Sequence, residues 1–108
     1  MAFTAKSLAS GTVASSKTTI YTVPSLTKGY VKFLHVHNAG TATETVIVYA
    51  KQSAGSSVII GRVTLLANEQ ADIIDKDSSL VLSTSDTIEA QSTNNSNVQY
   101  FISGGEET

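Results

Sequence analysis

The chain is punctuated. Short runs of Val, Ile, Leu and Thr alternate with clusters of Ser, Asn, Asp and Gly about every eight to twelve residues, the spacing of sandwiches and barrels. β-branched side chains lose rotamer freedom in helices and suit a pleated surface, and helix signals are weak throughout. Strands are predicted over 18–23, 29–38, 44–51, 58–66, 70–74, 80–82, 87–91 and 98–103. Pro24 ends the first by removing a ladder donor. In the second, Leu34 and Val36 alternate with His35 and His37, so both imidazoles point outward. Val31 stands three residues before Leu34, which breaks strict alternation and predicts a bulge near Lys32 and Phe33. The segment 38–44 reads as the loop of a hairpin joining strands 29–38 and 44–51. Gly61 is a second candidate bulge. Residues 104–108 read as an acidic tail. Residues 1–13 are weakly patterned and fit an extended arm or an extra edge strand. The expected fold is all-β: one antiparallel, jelly-roll-like β-sandwich domain of about seven or eight strands, without internal repeats.

Composition narrows function by exclusion. A chain of 108 residues has room for one modest core. Charged residues make up 15% of it, against about 25% in soluble domains. Twenty-nine Ser and Thr fill the gap, so the surface is hydroxyl-rich and desolvates more cheaply than an ionic one. The net charge is −2, and no two of the seven cations are adjacent. A nucleic-acid face needs clustered cations to displace counterions, so no nucleic acid is expected as partner. There is no cysteine, which removes disulfide, zinc-thiolate and thiol chemistry. No apolar run approaches the roughly 18 residues of a membrane span, and the N-terminal stretch lacks the apolar core of a signal peptide.

The candidate chemical groups are sparse. His35 and His37 share a strand face at a spacing that can present two imidazoles to a metal, but no third ligand accompanies them. Asp72, Asp75, Asp77 and Asp86 form the densest acidic group. Counted from Asp75, an EF-hand loop needs Gly and Glu where Leu80 and Asp86 stand, so turn chemistry is the better account. None of the serines sits in a Gly-x-Ser-x-Gly elbow, and no phosphate-cradling glycine string is present. Tyr21, Tyr30, Tyr49 and Tyr100 fit a sugar-stacking platform or ordinary cross-strand packing. No catalytic, cofactor-binding or metal-ligating residue is assigned, and no enzymatic activity is expected.

A quieter feature concerns strand faces. Apolar residues occupy consecutive positions at Val58-Ile59-Ile60, Leu65-Leu66, Ile73-Ile74, Leu80-Val81-Leu82 and Tyr100-Phe101-Ile102. A sheet with one wet face should alternate. Repeated doublets suggest outward faces covered by another subunit or partner, the alternative being cover by loops or the N-terminal arm of the same chain. The expected contact residues are Phe3, Leu8, Val58, Ile59, Ile60, Tyr100 and Phe101.

From Ile20 to Gly104 the chain resembles small β-sandwich proteins of tailed bacteriophage virions. The likeness lies in Ile20-Tyr21-Thr22-Val23-Pro24, in Leu34-His35-Val36-His37-Asn38 and in Val46-Ile47-Val48-Tyr49. It continues in the loop at Ala67-Asn68-Glu69, in Asp86-Thr87-Ile88-Glu89-Ala90 and in the closing Ile102-Ser103-Gly104. The turn before Asp86 departs from it, with Ser85 where such proteins often place Gly. The resemblance implies a virion structural protein, assembled in the host cytoplasm. Such proteins look like head decoration (cement) proteins that bind coat protein and their own copies, a trimer being one plausible homo-oligomer. The alternatives it carries are a neck, tail or fibre accessory protein, including a carbohydrate-binding module. It implies no active site and no cofactor.

Overall fold

The computed structural model describes residues 2–75 and 77–108. Among these, nine strands are present: β1 (Phe3–Thr12), β2 (Thr18–Thr22), β3 (Lys28–Asn38), β4 (Glu44–Lys51), β5 (Ser57–Leu65), β6 (Gln70–Ile74), β7 (Leu80–Leu82), β8 (Thr87–Ser92) and β9 (Val98–Glu107). They form two antiparallel sheets. One runs β1-β9-β3-β6, with β7 also paired to β3; the other runs β2-β8-β4-β5.

The pairings are nested. Strand β4 pairs with β5, β3 with β6 and β7, β2 with β8, and β1 with β9. A long antiparallel ribbon wrapped in this way is a jelly roll. Strands β6 and β7 together fill one strand position, since both lie along β3, β6 against Leu34–His37 and β7 against Gly29–Val31. The ninth strand is 3–12, the segment read as an arm or an extra edge strand, which is a full edge strand. Met1 lies outside the described residues.

The core sits between the sheets. Val31, Leu34 and Val36 of β3 and Ile102 of β9 face Val46 and Val48 of β4 and Ile88 of β8, all essentially fully buried. Leu34 and Val36 are inward as their alternation with the histidines predicts, and Tyr21 and Val23 are buried on the inner side of their strand. The bulge expected near Lys32 is present: the β3–β9 register shifts between Val31 and Phe33. The β4–β5 bulge falls on Ile60, one residue before Gly61, which itself pairs with Val48.

Two expectations fail. Strands β3 and β4 form no hairpin; they belong to opposite sheets. Apolar alternation fixes which side of a strand is buried, not which sheet it joins. The connection arches across the sandwich, and two buried polar side chains hold the arch. Asn38 donates to the carbonyls of Ala42, Leu65 and Leu66 and accepts from the Gly40 amide. Glu44 accepts from the Asn94 amide at 2.9 Å and from the side chains of Asn94 at 2.9 Å and Asn97 at 3.0 Å. The second failure is the tail. Residues 104–107 extend β9, paired to β1 and β3. Gly104 is needed there because a Cβ would lie 1.8 Å from the Tyr30 carbonyl oxygen. At this end Glu106 turns inward, receives the Tyr21 hydroxyl at 2.8 Å and pairs with Lys6 at 3.0 Å, joining the two sheets.

Candidate interaction face

Register decides what each sheet shows to the outside. On the five-stranded sheet, Val31, Leu34 and Val36 point inward, so Tyr30, Phe33, His35 and His37 point outward. Directly opposed residues share a face. The pairs Tyr30–Gly105, Phe33–Ser103, His35–Phe101, Tyr30–Val81 and His35–Asp72 therefore lay out one surface. Phe3, opposite Glu107, adds the last ring. All three phenylalanines of the chain lie on this outer face.

The rings are in contact. Phe3 and Tyr30 meet edge to face with centroids 5.5 Å apart. The Phe3 ring lies on Gly105, where a Cβ would come within 2.3 Å of it. Phe33 stacks on His35 at 5.6 Å and 10°. Phe3, Phe101 and Val81 remain 54%, 41% and 57% exposed. With large aromatic side chains at about 200 Å² each, the exposed parts of these three side chains come to roughly 300 Å². A patch of that size on a small domain is commonly functional.

Polar groups edge the patch. Asp72, carried on β6, accepts from or shares a proton with His35 Nδ1 at 2.8 Å. His37 lies alongside with its Nδ1 buried and without a hydrogen-bond partner. The Tyr30 hydroxyl donates to Glu107 at 2.9 Å, and that bond, together with burial, pushes the phenol upward from its ordinary pKa. Both histidines point outward as expected, and among the described residues no three ligating side chains gather into a metal site.

The opposite face is of different character. The outer side of the four-stranded sheet carries Thr45 and Thr64 in contact at 3.3 Å, and Ser57 bonded to Glu89. Tyr49 donates to Gln91 at 2.7 Å, and Lys17 lies 5.0 Å from its ring centre. Tyr49 and Tyr30 are thus both engaged within the chain, which leaves neither as a bare sugar platform.

The seven expected contact residues do not come together. Phe3 and Phe101 belong to the aromatic face. Val58 and Ile59 are exposed on β5, at the edge of the other sheet. Leu8 and Ile60 occupy bulges and Tyr100 points inward; all three are half-buried against the core. The reading of the sequence missed Phe33 and Val81 as members of the face. The signal existed in the phase of each residue relative to its buried neighbours, but a bulge precedes Phe33 and resets that phase.

Fold and surface define a jelly-roll β-sandwich with one aromatic and one hydroxyl-rich face. Set against known proteins, the chain matches no family model and no curated protein.

Proposed function

We propose that this protein is a structural component of a tailed-bacteriophage virion, a capsid decoration protein that binds coat protein and its own copies and carries no catalytic activity. The observation that carries the reading is the outward placement of Phe3, Phe33 and Phe101 beside Tyr30 on one sheet face. Rings left outside a core this small forgo about 1.5–3 kcal/mol each, unless another surface covers them. At about 25 cal/mol per Å², covering roughly 300 Å² is worth about 7 kcal/mol before association costs of similar size. A single contact of that strength is modest, and many copies on a repeating shell strengthen it through avidity. The hydroxyl-rich face and the low charge suit a part that presents one side to solvent and the other to protein.

The test is the protein content of purified particles. Quantitative mass spectrometry should find this chain in copy numbers that scale with the coat protein, and added protein should bind shells that lack it. Absence from particles together with failure to bind empty shells overturns the proposal. Binding to a glycan array, abolished by Tyr30→Ala, would favour the carbohydrate-binding alternative instead.

A further inference from the structure

We infer that the outer face of the five-stranded sheet is a two-fold interface with a second copy of this chain. The inference deepens the functional reading above, resting on its premise that the aromatic face is covered.

Area is the first argument. The molecule measures 45 × 27 × 21 Å. Its broad face therefore spans roughly 1,200 Å², more than the ~800 Å² per subunit that a stable association buries. A standard interface is about 56–58% apolar, which asks for roughly 450 Å² of apolar surface on each side. Phe3, Phe101 and Val81 supply roughly 300 Å² of it, and the partly exposed Tyr30 and Phe33 add to that.

Charge is the second. The centre of the face holds Phe, Tyr, Ser, Gly and Ala side chains and a single cation, the exposed Lys32 at the β3 bulge, whose long stem lets its ammonium reach the margin. The other charges stand at the edges. Lys28 lies opposite Glu107 at one end, and His35 is bonded to Asp72 toward the other. A face whose edge charges are matched in this way meets a copy of itself with little net repulsion, whereas a face of one sign would not.

Shape supplies the third. Phe33 of β3 stands beside Ser103 of β9, with Ser7 of β1 beyond it, and His35 stands beside Phe101, with Ser10 of β1 beyond it. A two-fold axis parallel to the strands and passing between β3 and β9 lays β3 of each copy over β9 of the other. The level pairing of Phe33 with Ser103 and of His35 with Phe101 within one chain then recurs between chains. Phe33 sits over the second copy's Ser103, and His35 over its Phe101. Each ring meets a hollow or another ring, and the contact is isologous and closes as a dimer.

Sedimentation equilibrium of the full chain, from micromolar to millimolar, tests this directly. A dimer is expected. Phe101→Asp, at an exposed position, should weaken it at least about tenfold, as loss of a central aromatic anchor does. Ile59→Asp, 52% exposed on the other sheet, should leave it within about twofold. The natural chain has no cysteine, so introduced thiols give a second readout. A mixture of Phe33→Cys and Ser103→Cys chains should cross-link under mild oxidation, and each chain alone should not. A monomer at every concentration, a trimer, or a dimer indifferent to Phe101→Asp overturns the inference. A monomer whose binding to shells is lost in Phe101→Asp assigns the face to the coat protein, so this inference fails while the functional reading stands. A dimer weakened by Phe101→Asp that is absent from particles and does not bind shells upholds this inference while the functional reading fails.

Discussion

Glu44 offers the sharpest test of how this fold is held. Its carboxylate is buried at the end of the sandwich, no cation among the described residues pairs with it, and three donors from the 93–97 loop satisfy it. Burial alone would raise its pKa. The three hydrogen bonds from Asn97 and Asn94 outweigh burial and hold it below the ordinary carboxylate value. Glu44→Gln keeps the volume but removes the charge and points an amide at other donors. Each bond to a charged group is worth about 1.5–3 kcal/mol, and the losses are not additive, because Asn94 is exposed and its freed groups can turn to water. The expected loss is about 2–3 kcal/mol for Glu44→Gln, and about 3–4 kcal/mol for Glu44→Ala, which also leaves a cavity. Urea unfolding at pH 7 should show a lower midpoint with an unchanged slope, and Tm should fall by about 4 °C or more per kcal/mol.

The sign of the pH dependence follows from the lowered pKa. The carboxylate's stabilisation is fully present above its unfolded value of about 4.3 and is lost as pH falls through the still lower folded value. The difference between the natural protein and Glu44→Gln should therefore be constant above about pH 5 and shrink below about pH 4. Glu106 is also held low, first by the Tyr21 hydroxyl and also by Lys6, but it titrates alike in both proteins and drops out of the difference. A Glu44→Gln protein within about 0.5 kcal/mol of the natural one at pH 7, with no convergence in acid, would refute the claim that this carboxylate braces the loop.

Two further substitutions probe backbone rather than charge. Gly104→Ala places a methyl 1.8 Å from the Tyr30 carbonyl oxygen, so β9 must move off β3; a loss of about 3 kcal/mol or more is expected in chemical denaturation. Ser85 sits at φ 70°, a left-handed conformation that favours Gly, at the very turn where the resemblance expected one. Ser85→Gly should gain about 0.5 kcal/mol, the relief of strain exceeding the added chain entropy, and a clear loss in a melting curve would show that the serine side chain matters there.

Much of the fold was legible because a strand's buried phase is written at period two. Tyr21, Val23, Leu34 and Val36 are inward for that reason, and the break at Val31 announced its bulge. What the pattern lacks is pairing. Nothing in 38–44 distinguishes a hairpin from an arch between sheets, and only the burial of Asn38 and Glu44 reveals the arch. Polar residues at inward phases were the available clue, and they read equally well as loop. The 104–107 extension was hidden by two glycines and two glutamates, residues rarely placed in strands. They are held there by the close approach to β3, the ring of Phe3 and the hydroxyls of Tyr21 and Tyr30.

The apolar doublets change meaning once register is known. Ile60 and Ile73 are the extra residues of bulges and turn toward the core, and Leu66 lies just past the end of β5. Two of the five doublets thus have a local cause, while Val58 and Ile59 stay exposed on β5 at the edge of the other sheet. The remaining two, centred on Val81 and Phe101, put apolar side chains outward, and both belong to the same sheet. Two of the three outward runs thus fall on one surface, and there they meet a second, independent fact. The core is built almost wholly of Val, Leu and Ile with Tyr21, while every Phe stands outside. Chance scatter of three rings would spread them over both faces and the core. Their gathering on the face that also carries the outward doublets is what makes covered surface, rather than solvent exposure, the better physical account of it.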